Sequence, residues 1–370
     1  MAELSLCMIV RDEEDHLKRC LDSVKEAVDE IVIVDTGSTD RTKEIAARYT
    51  DRIYDYAWQD DFAHARNTSF AYATKPFILW LDADDVIDAS DAGKLMALKA
   101  ELDGQIDAVM MPYHYASSSD GRASLFFDRE RIVRREAGFR FEGMVHEAMA
   151  VSGCVIYADI AVRHMGKHAE RSNRRNLEIY EKWRKSGRQM NPRDLYYYAR
   201  ELKNAGEFEN AEAVFRQFLA QDGWIENRLD AHVQRSGCLE ALGRREEAME
   251  SCMHAFLEAP PRAEALCALG ALWMQAQRWE EAVFWYRAAL LSKMPERSGA
   301  FVSVDAYGYV PLMQLCVCFD RMGLYDEAAR MNEQALLMRP QDSAALANRA
   351  YFTSILQRAS ENREIQAEEA

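Results

Sequence analysis

Three carboxylates that directly follow a short apolar stretch are the residues with the clearest chemical potential. Residues 77–81 are apolar, and Asp82, Asp84 and Asp85 come next. An apolar run of this length predicts a buried strand of an α/β sheet, and ligand crevices lie at the carboxyl ends of such strands. Asp82 and Asp84 would point the same way on an extended backbone, where they could bind a hard divalent cation and, through it, phosphates. The alternative is a strand that ends in an ordinary polar turn.

Another carboxylate, Asp35, ends a second apolar stretch, residues 31–34. Gly37 allows a tight turn after it, and one of the residues 38–40 can cap the helix that follows. Asp35 could accept a hydrogen bond from a nucleobase or a ribose hydroxyl, and the helix N-terminus favours an anion. Alternatively, Asp35 only stabilises its own turn. The sequence has neither G-x-G-x-x-G after a strand nor G-x-x-x-x-G-K-[ST], so phosphate binding would depend on a metal.

Strand and helix patterns alternate through the first 90 residues. Continuous apolar runs predict buried strands, and apolar residues at helical spacing, such as Leu17, Leu21 and Val24, predict the helices between them. The predicted strands are 4–10, 31–34, 52–56 and 77–81, and the predicted helices cover 13–25, the stretch around 45–46, and 60–73. This order predicts an α/β domain with a mostly parallel sheet and helices on its faces. Further strands are predicted at 106–115, 125–127 and 131–134.

Four of these stretches also resemble family-2 glycosyltransferases of the GT-A fold. They are residues 6–14, 31–40, 60–67 and 81–85. The resemblance implies a Rossmann-like GT-A domain in which Asp35 contacts the nucleotide base, Asp82 meets the ribose, and Asp84 binds a Mn²⁺ or Mg²⁺ ion. It places Arg66 near the diphosphate or beside an acidic neighbour. The other residues that it places at the nucleotide sugar are Val10, Asp61 and Ala83.

Residues 139–147 resemble the F-x-G-x-V-H-E stretch of a subset of that family, which includes core-oligosaccharide glucosyltransferases and bacteriocin S-glycosyltransferases. A single-displacement transfer needs a base beside the acceptor. Glu147 is the predicted base, with His146 as second choice or as the residue that orients Glu147. The same subset has a later strand that ends in His, which implies that His164 is a metal ligand. The alternative for His146 and Glu147 is a capped helix start with a surface histidine.

A histidine pair and a group of arginines in this region could also bind a metal or a diphosphate. His168 follows His164 by four residues, but Gly166 argues against a helix and H-E-x-x-H is absent, so a dedicated zinc site is not expected. Five arginines form a basic segment in an acidic protein: Arg131, Arg134, Arg135, Arg140 and Arg163. One or two of them could face a diphosphate, and the others are expected to be solvated or paired with acidic residues.

From about residue 191 the strand patterns stop and amphipathic helices follow one another. A residue that marks a turn and an alanine five positions later recur: Gly206 with Ala211, Gly243 with Ala248, Gln277 with Ala282, and Gly323 with Ala328. The alanines are 37 (248−211), 34 (282−248) and 46 (328−282) residues apart. A period near 34 with this pattern resembles tetratricopeptide repeats, and the longest spacing implies an insert between Met294 and Ala306.

These patterns divide the chain into four segments. We expect a glycosyltransferase domain at 1–168, a linker helix at 169–190, helical repeats at 191–360 and a disordered tail at 361–370. The repeats could hold a peptide or protein acceptor in a concave groove, or serve only to form a homodimer, and the two roles can coexist.

Composition limits the partners and the location. The 370 residues carry a formal net charge of −15, which argues against nucleic acid or an anionic membrane surface as the main partner. No apolar run approaches the roughly 20 residues that span a bilayer, and the first residues do not resemble a signal peptide. The eight cysteines lack C-x-x-C spacing and are expected to be reduced thiols in a cytoplasmic protein.

Together these features predict an inverting, metal-dependent glycosyltransferase. The donor would be a nucleotide-activated hexose, most simply a UDP-sugar, and the acceptor a Cys, Ser or Thr side chain of a peptide or protein. Bacteriocin S-glycosyltransferases share this domain order, but a layout does not determine an acceptor. Two alternatives remain: a transferase for a cell-surface glycan or lipid-linked sugar, and a repeat scaffold with an inert transferase domain.

Overall fold

The computed structural model describes residues 2–117, 123–166, 170–296 and 299–368, which form two compact units. The first unit contains Met1–Ser117, Leu125–Tyr197 and Arg297–Phe301. The second unit contains Ser118–Ser124, Tyr198–Glu296 and Val302–Ala370. The first unit is α/β and the second is mainly helical, so the predicted fold classes of the two halves are confirmed.

The strands and helices are as follows. The strands are β1 (Leu4–Val10), β2 (Glu30–Asp35), β3 (Ile53–Asp55), β4 (Phe77–Trp80), β5 (Asp85–Ile87), β6 (Ala108–Ser117), β7 (Ala123–Arg134), β8 (Phe141–Glu142), β9 (Ala148–Met149), β10 (Val155–Tyr157), β11 (Val162–His164) and β12 (Val302–Ser303). The helices are α1 (Leu17–Val24), α2 (Thr42–Ala46), α3 (Phe62–Tyr72), α4 (Ala89–Glu101), α5 (Glu170–Lys185), α6 (Pro192–Asn204), α7 (Phe208–Leu219), α8 (Ile225–Ala241), α9 (Arg245–Glu258), α10 (Ala263–Gln275), α11 (Trp279–Leu291), α12 (Tyr309–Arg321), α13 (Tyr325–Met338) and α14 (Ser343–Glu368).

The main sheet of the first unit has the strand order β3-β2-β1-β4-β7-β6-β11-β5, with β10 beside β6. β1 pairs in parallel with β2 and β4, and β2 pairs in parallel with β3. The pairs β4–β7 and β5–β11 are antiparallel. The predicted parallel core is therefore present, and antiparallel pairs extend it into a mixed sheet.

Helices cover both faces of this sheet, which explains the continuous apolar run of β1. Leu6 and Met8 lie in one buried core together with residues of α1 and α4. Cys7, which points to the opposite face, lies in a second core with Ala63 of α3. A strand that is buried on both faces needs apolar residues at every position, as the sequence of β1 shows.

Two elements differ from the prediction. β7 is one continuous strand, whereas the sequence predicted separate strands at 125–127 and 131–134. The charged residues Arg129, Glu130 and Arg131 interrupt the apolar pattern, but each has a partner of opposite charge, Glu130 and Arg131 are buried, and the strand continues through them. Helix α14 continues to Glu368, across most of the stretch for which the sequence predicted a disordered tail.

Consecutive helices of the second unit form pairs: α8 packs on α9, α10 on α11, and α12 on α13. Gly243, Gln277 and Gly323 lie between the two helices of these pairs, and Gly206 lies between α6 and α7. All four have left-handed backbone: Gly206 (φ +79°), Gly243 (φ +74°), Gln277 (φ +57°) and Gly323 (φ +75°). The repeated alanines Ala211, Ala248, Ala282 and Ala328 are fully buried. The repeat pattern therefore corresponds to a left-handed helix end followed by a close helix contact, as in tetratricopeptide-like pairs.

Among the described residues, every helix is too short or too polar to span a bilayer.

Gln277 occupies a left-handed position at which the other repeats have glycine, so glycine should be more stable than glutamine there. A side chain in left-handed backbone costs about 1–2 kcal/mol, whereas glycine has no such penalty. We expect Gln277→Gly to raise the free energy of unfolding by about 1 kcal/mol, measured by urea denaturation of the full chain.

A matched control lies two residues earlier. Gln275 is the last residue of α10 and has helical backbone. The same substitution there, Gln275→Gly, should lower the free energy of unfolding by up to about 1 kcal/mol, because glycine is a poor helix former. Equal effects of the two substitutions would contradict the assignment of Gln277 as a left-handed helix end.

Candidate functional site

The carboxyl ends of β1, β2 and β4 meet at one edge of the sheet and define the candidate site. In the pairing register Val10 lies opposite Asp35, and Cys7 lies opposite Trp80, the last residue of β4. The loops after these strands carry most of the residues that the sequence selected. This is the edge at which open α/β sheets bind ligands.

Asp35 has one carboxylate oxygen in use and one without a partner. Oδ1 accepts hydrogen bonds from the backbone N–H groups of Gly37 and Ser38, both at 2.9 Å. Oδ2 is buried and receives no hydrogen bond from any described residue. Both expectations for this residue therefore fit the geometry: Asp35 stabilises its own turn, and a buried acceptor is left for a donor group of a ligand.

A potential cation site lies after β4. Ligand atoms of Asp84, Asp85 and His164 lie within 4.8 Å of one another. Oδ1 of Asp84 is 3.4 Å from Nδ1 of His164, and Oδ1 of Asp85 is 3.9 Å from the same nitrogen. The antiparallel pairing of β5 with β11 brings them together, because His164 lies opposite Asp85 in the register.

The residues of this cluster fit a divalent cation such as Mn²⁺ or Mg²⁺. Oδ1 of Asp85 is fully buried and has no hydrogen-bond donor among the described residues, as expected for a cation ligand. Burial by itself lowers the pKa of His164, but the negative charges of the nearby carboxylates of Asp84 and Asp85 raise that pKa to about 10. Because imidazole binds a metal only in its neutral form, His164 would release its proton on cation binding.

Asp85 of the cation cluster also forms a buried ion pair with Arg131. Asp85 and Arg131 are both fully buried, and Nη1 of Arg131 lies 3.1 Å from Oδ2 of Asp85. The guanidinium of Arg131 stacks between two rings, 4.1 Å from the ring centroid of Trp80 and 4.4 Å from that of Tyr113. Of the three expectations for the arginines of this segment, namely contact with a diphosphate, solvation and pairing with acidic residues, the structure shows the third for Arg131.

Arg66 joins two of the predicted site residues. Its Nε donates to Oε1 of Glu147 at 2.5 Å, and its Nη2 donates to Oδ1 of Asp82 at 2.6 Å. Burial by itself lowers the pKa of Arg66, but the charges of the two carboxylates outweigh it and raise that pKa above its usual range. Burial likewise favours a higher pKa for Asp82, yet Arg66 and Arg131 hold it below its usual value. Of the two expectations for Arg66, the structure shows the pairing with acidic neighbours.

Asp82 and Asp84 engage different partners, which corrects the expectation that they point the same way. β4 ends at Trp80, and the backbone N–H of Asp85 donates to the carbonyl of Asp82 in a turn. Extended-strand spacing therefore does not apply to these residues. Asp82 faces Arg66, while Asp84 faces His164. The cation cluster consequently contains Asp85, which the sequence analysis had not selected as a ligand.

The other predicted residues lie around this centre in different ways. Val10 and Ala83 are buried at the strand ends and offer backbone groups only. Asp61 caps α3, where its carboxylate accepts a hydrogen bond from the backbone N–H of His64 at 2.8 Å. His146 precedes Glu147 in a loop and has left-handed backbone with φ +52°. His168 lies outside the described residues.

Two contributors besides Asp85 and Arg131 were missed. Burial together with the charge of Asp84 raises the pKa of Glu13 to about 7, so the protonation of Glu13 depends on the charge of the cluster. Gly166 faces the cluster directly, since an added Cβ would lie 2.1 Å from Oδ2 of Asp84. The acid-rich stretch after β1 was a signal for Glu13, but a close approach such as that of Gly166 depends on tertiary packing.

Comparisons with known proteins show what parts of the chain are similar to. Residues 5–166 match the family described as glycosyl transferase family 2. The N-terminal part of the chain is a family 2 glycosyl transferase domain. The matched region contains the cation cluster and also Asp35, Arg66 and Glu147, three residues selected from the sequence.

Individual relatives cover parts of the chain. A TPR repeat-containing protein of Synechococcus elongatus is 40% identical over 149 residues, which is 40% of this chain and 35% of the relative. The prophage-derived glycosyltransferase SunS of Bacillus subtilis is 31% identical over 216 residues, 55% of this chain and 50% of SunS. Among solved structures, a tetratricopeptide repeat protein from Parabacteroides merdae has a TM-score of 0.39 and 18% identity, over 52% of this chain and 70% of that one. The chain thus spans half or less of the length of these two curated relatives.

Gly166 provides a test of the cation cluster. In Gly166→Ala the new methyl group would displace Asp84 and would also lie 3.0 Å from Cε1 of His164. We expect the affinity for Mn²⁺ to fall about 10-fold or more, measured by electron paramagnetic resonance titration of free Mn²⁺. Gly104→Ala is the control, because an added Cβ there meets no atom within 4 Å. An unchanged Mn²⁺ affinity in Gly166→Ala would refute the assignment of Asp84 and His164 as ligands.

Arg131 provides a separate test of the buried ion pair. Arg131→Met would leave the carboxylate of Asp85 buried without its partner, and we expect the free energy of unfolding to fall by about 3–5 kcal/mol. The double variant Arg131→Met/Asp85→Leu removes both charges and should recover part of that loss. Arg135→Met, at an exposed position four residues later, is the control and should change stability little. The free energies of unfolding of the wild type and the three variants are measured by chemical denaturation. A double variant less stable than Arg131→Met would show that Arg131 does not compensate the buried charge of Asp85.

Proposed function

We propose that this chain is an inverting, metal-dependent glycosyltransferase that moves a hexose from a nucleotide sugar, a UDP-sugar in the simplest case, to a peptide or protein side chain. The family 2 domain and the cluster of Asp84, Asp85 and His164 carry the proposal. Because the chain covers only part of its curated relatives, the activity, the donor and the acceptor are all part of the proposal.

The donor would bind along the carboxyl edge of the sheet. The unpartnered Oδ2 of Asp35 would accept a hydrogen bond from the base, and Asp82, held by Arg66, would meet the ribose. Asp84, Asp85 and His164 would hold a Mn²⁺ or Mg²⁺ ion beside the diphosphate. Such an ion would neutralise the charge that develops on the leaving diphosphate.

Glu147 would act as the base. Its Oε1 is fixed by Arg66, so the carboxylate cannot rotate freely, and Oε2 would accept the proton of the acceptor hydroxyl or thiol. The acceptor atom forms a bond to the anomeric carbon as the bond from that carbon to the phosphate oxygen breaks. The electron pair leaves with the nucleoside diphosphate, and the configuration at the anomeric carbon inverts.

The helical repeats favour a peptide or protein acceptor. Stacked helix pairs form extended surfaces on which other proteins bind peptides, and the second unit has this architecture. We also propose a cytoplasmic location, which fits the eight free cysteines. A homodimer formed through the repeats stays a prediction.

The test separates donor binding from chemistry. We expect UDP to bind the full chain only with Mn²⁺, by isothermal titration calorimetry, and Asp84→Ala to abolish this binding. Glu147→Gln should keep the UDP affinity within about 3-fold and reduce turnover of the active UDP-sugar by a factor of about 10² or more. Asp51→Ala and Glu136→Gln, both at exposed positions, are the matched controls.

Several outcomes would contradict parts of this proposal. Turnover by the wild type without a metal would contradict the role of the cation cluster, and no binding of any UDP-sugar would favour a repeat scaffold with an inert transferase domain. Full turnover by Glu147→Gln would remove Glu147 as the base.

The acceptor is tested separately. Peptides that contain Cys, Ser or Thr are compared as acceptors with oligosaccharides and lipid-linked sugars by mass spectrometry. Transfer to the sugar acceptors alone would replace the peptide assignment with the glycan alternative.

A further inference from the structure

The loop that carries Glu147 has a strained backbone and must be held by its surroundings. It joins β8 to β9, and within it His146 has left-handed backbone with φ +52°. A residue other than glycine in this conformation costs of the order of a factor of ten or more in population, so the conformation persists only when neighbouring groups fix it. The groups that fix this loop are therefore candidates for a role in the reaction.

Three contacts from helices α5 and α6 reach two successive residues of the loop, Val145 and His146. The hydroxyl of Tyr180 donates to the carbonyl of Val145 at 3.3 Å. Nη2 of Arg193 donates to the carbonyl of His146 at 3.1 Å. The ring of Tyr197 stacks on the imidazole of His146, with centroids 4.3 Å apart and planes at 14°.

Arg193 and Tyr197 act as one group. They are four residues apart on α6, so they share one face of the helix. The guanidinium of Arg193 lies 4.8 Å from the ring centroid of Tyr197, and its Nη2 lies 3.4 Å from the Tyr197 hydroxyl. Tyr197 is buried, so the stack on His146 is shielded from water. Together the two side chains hold both the ring and the carbonyl of His146.

We propose that Arg193 and Tyr197 are positioning residues for the base Glu147 and act through His146. This inference rests on the proposed function. It also assigns His146 a positioning role, in place of the role of alternative base. The carboxylate of Glu147 would then be fixed from two sides, by Arg66 at its Oε1 and by the His146 backbone that precedes it.

The inference changes the extent of the catalytic unit. The family match ends at residue 166, whereas Tyr180, Arg193 and Tyr197 all follow it. They nevertheless belong to the first compact unit, which contains Leu125–Tyr197. The start of the helical half of the sequence is therefore part of the catalytic unit, which extends to Tyr197 and beyond the predicted boundary at residue 168.

The experiment measures turnover of the active UDP-sugar and Mn²⁺-dependent UDP binding in the full chain. Tyr197→Leu removes the stack but keeps an apolar side chain, and we expect kcat to fall about 10- to 100-fold because the base is misplaced. The UDP affinity should stay within about 3-fold. Tyr197→Phe keeps the ring and should retain most of the turnover. Arg193→Met removes the hydrogen bond to the His146 carbonyl and gives a second variant, should Tyr197→Leu fold poorly.

A double variant shows whether Tyr197 acts through Glu147. In Tyr197→Leu/Glu147→Gln, turnover should be no lower than in Glu147→Gln alone, because a base that is already absent cannot be misplaced. Multiplied effects of the two substitutions would overturn the proposal. The control is Tyr72→Leu, which removes another stacked pair of the first unit, Tyr54 with Tyr72 at 3.8 Å. It tests general loss of stability and should leave kcat unchanged.

A readout without turnover keeps this inference separate from the proposed function. Amide hydrogen exchange of residues 143–147 should become faster in Tyr197→Leu and Arg193→Met than in wild type, and should not change in Tyr72→Leu. If wild type turns over no UDP-sugar, the proposed function fails while the exchange result still tests the positioning. Unchanged exchange at 143–147 in both variants would show that Arg193 and Tyr197 do not hold the loop.

Discussion

Three arginines packed around the Trp80 ring are the feature on which the site depends; Arg66 and Arg131 are buried, and Arg129 is partly buried. The guanidinium carbons of Arg66, Arg129 and Arg131 lie 4.7, 4.8 and 4.1 Å from the ring centroid. Two of these arginines form ion pairs with carboxylates of the site. Arg66 pairs with Asp82 and Glu147, and Arg131 pairs with Asp85. Without the arginines, the carboxylates would be buried together with no compensating charge, which proteins do not tolerate. Trp80 gives the cations an aromatic surface that replaces part of their lost hydration.

Such a network contributes more to geometry than to stability. Removing charges from water costs as much as their attraction returns, so a buried ion pair often contributes little net free energy. What it supplies is a fixed arrangement in which each carboxylate has one defined partner. Asp82 and Glu147 are both bound to Arg66, and this links the donor side of the candidate site to the predicted base. Asp84 lies outside this network and is left to pair with His164, where a cation can bind.

The sequence predicted the fold and most members of the site, and the errors have a common cause. Local patterns were sufficient for β1, for α1 and for the left-handed turns of the repeats, because each reflects burial or backbone shape within a few residues. The partner of Asp85 is 46 residues away (131−85), and that of Glu147 is 81 residues away. Arg131 therefore resembled a solvated residue of a basic segment, since nothing near it in the sequence reveals the buried carboxylate. Asp82 and Asp84 diverge because the strand ends before them, and a strand end is uncertain by a few residues from sequence alone.

Left-handed backbone occurs both at the helix ends of the repeats and at His146, and the residue types at these two kinds of position differ. In the repeats the left-handed position ends a helix, and glycine occupies three of the four sites because no side chain is needed there. In the loop before Glu147 the left-handed residue is His146, whose ring packs on Tyr197. Glycine would relieve the backbone strain at that position but would also remove the ring. Retention of a side chain at an energetic cost is expected where the side chain has a task that the backbone cannot perform. The strain therefore indicates that the orientation of this loop matters more than its stability.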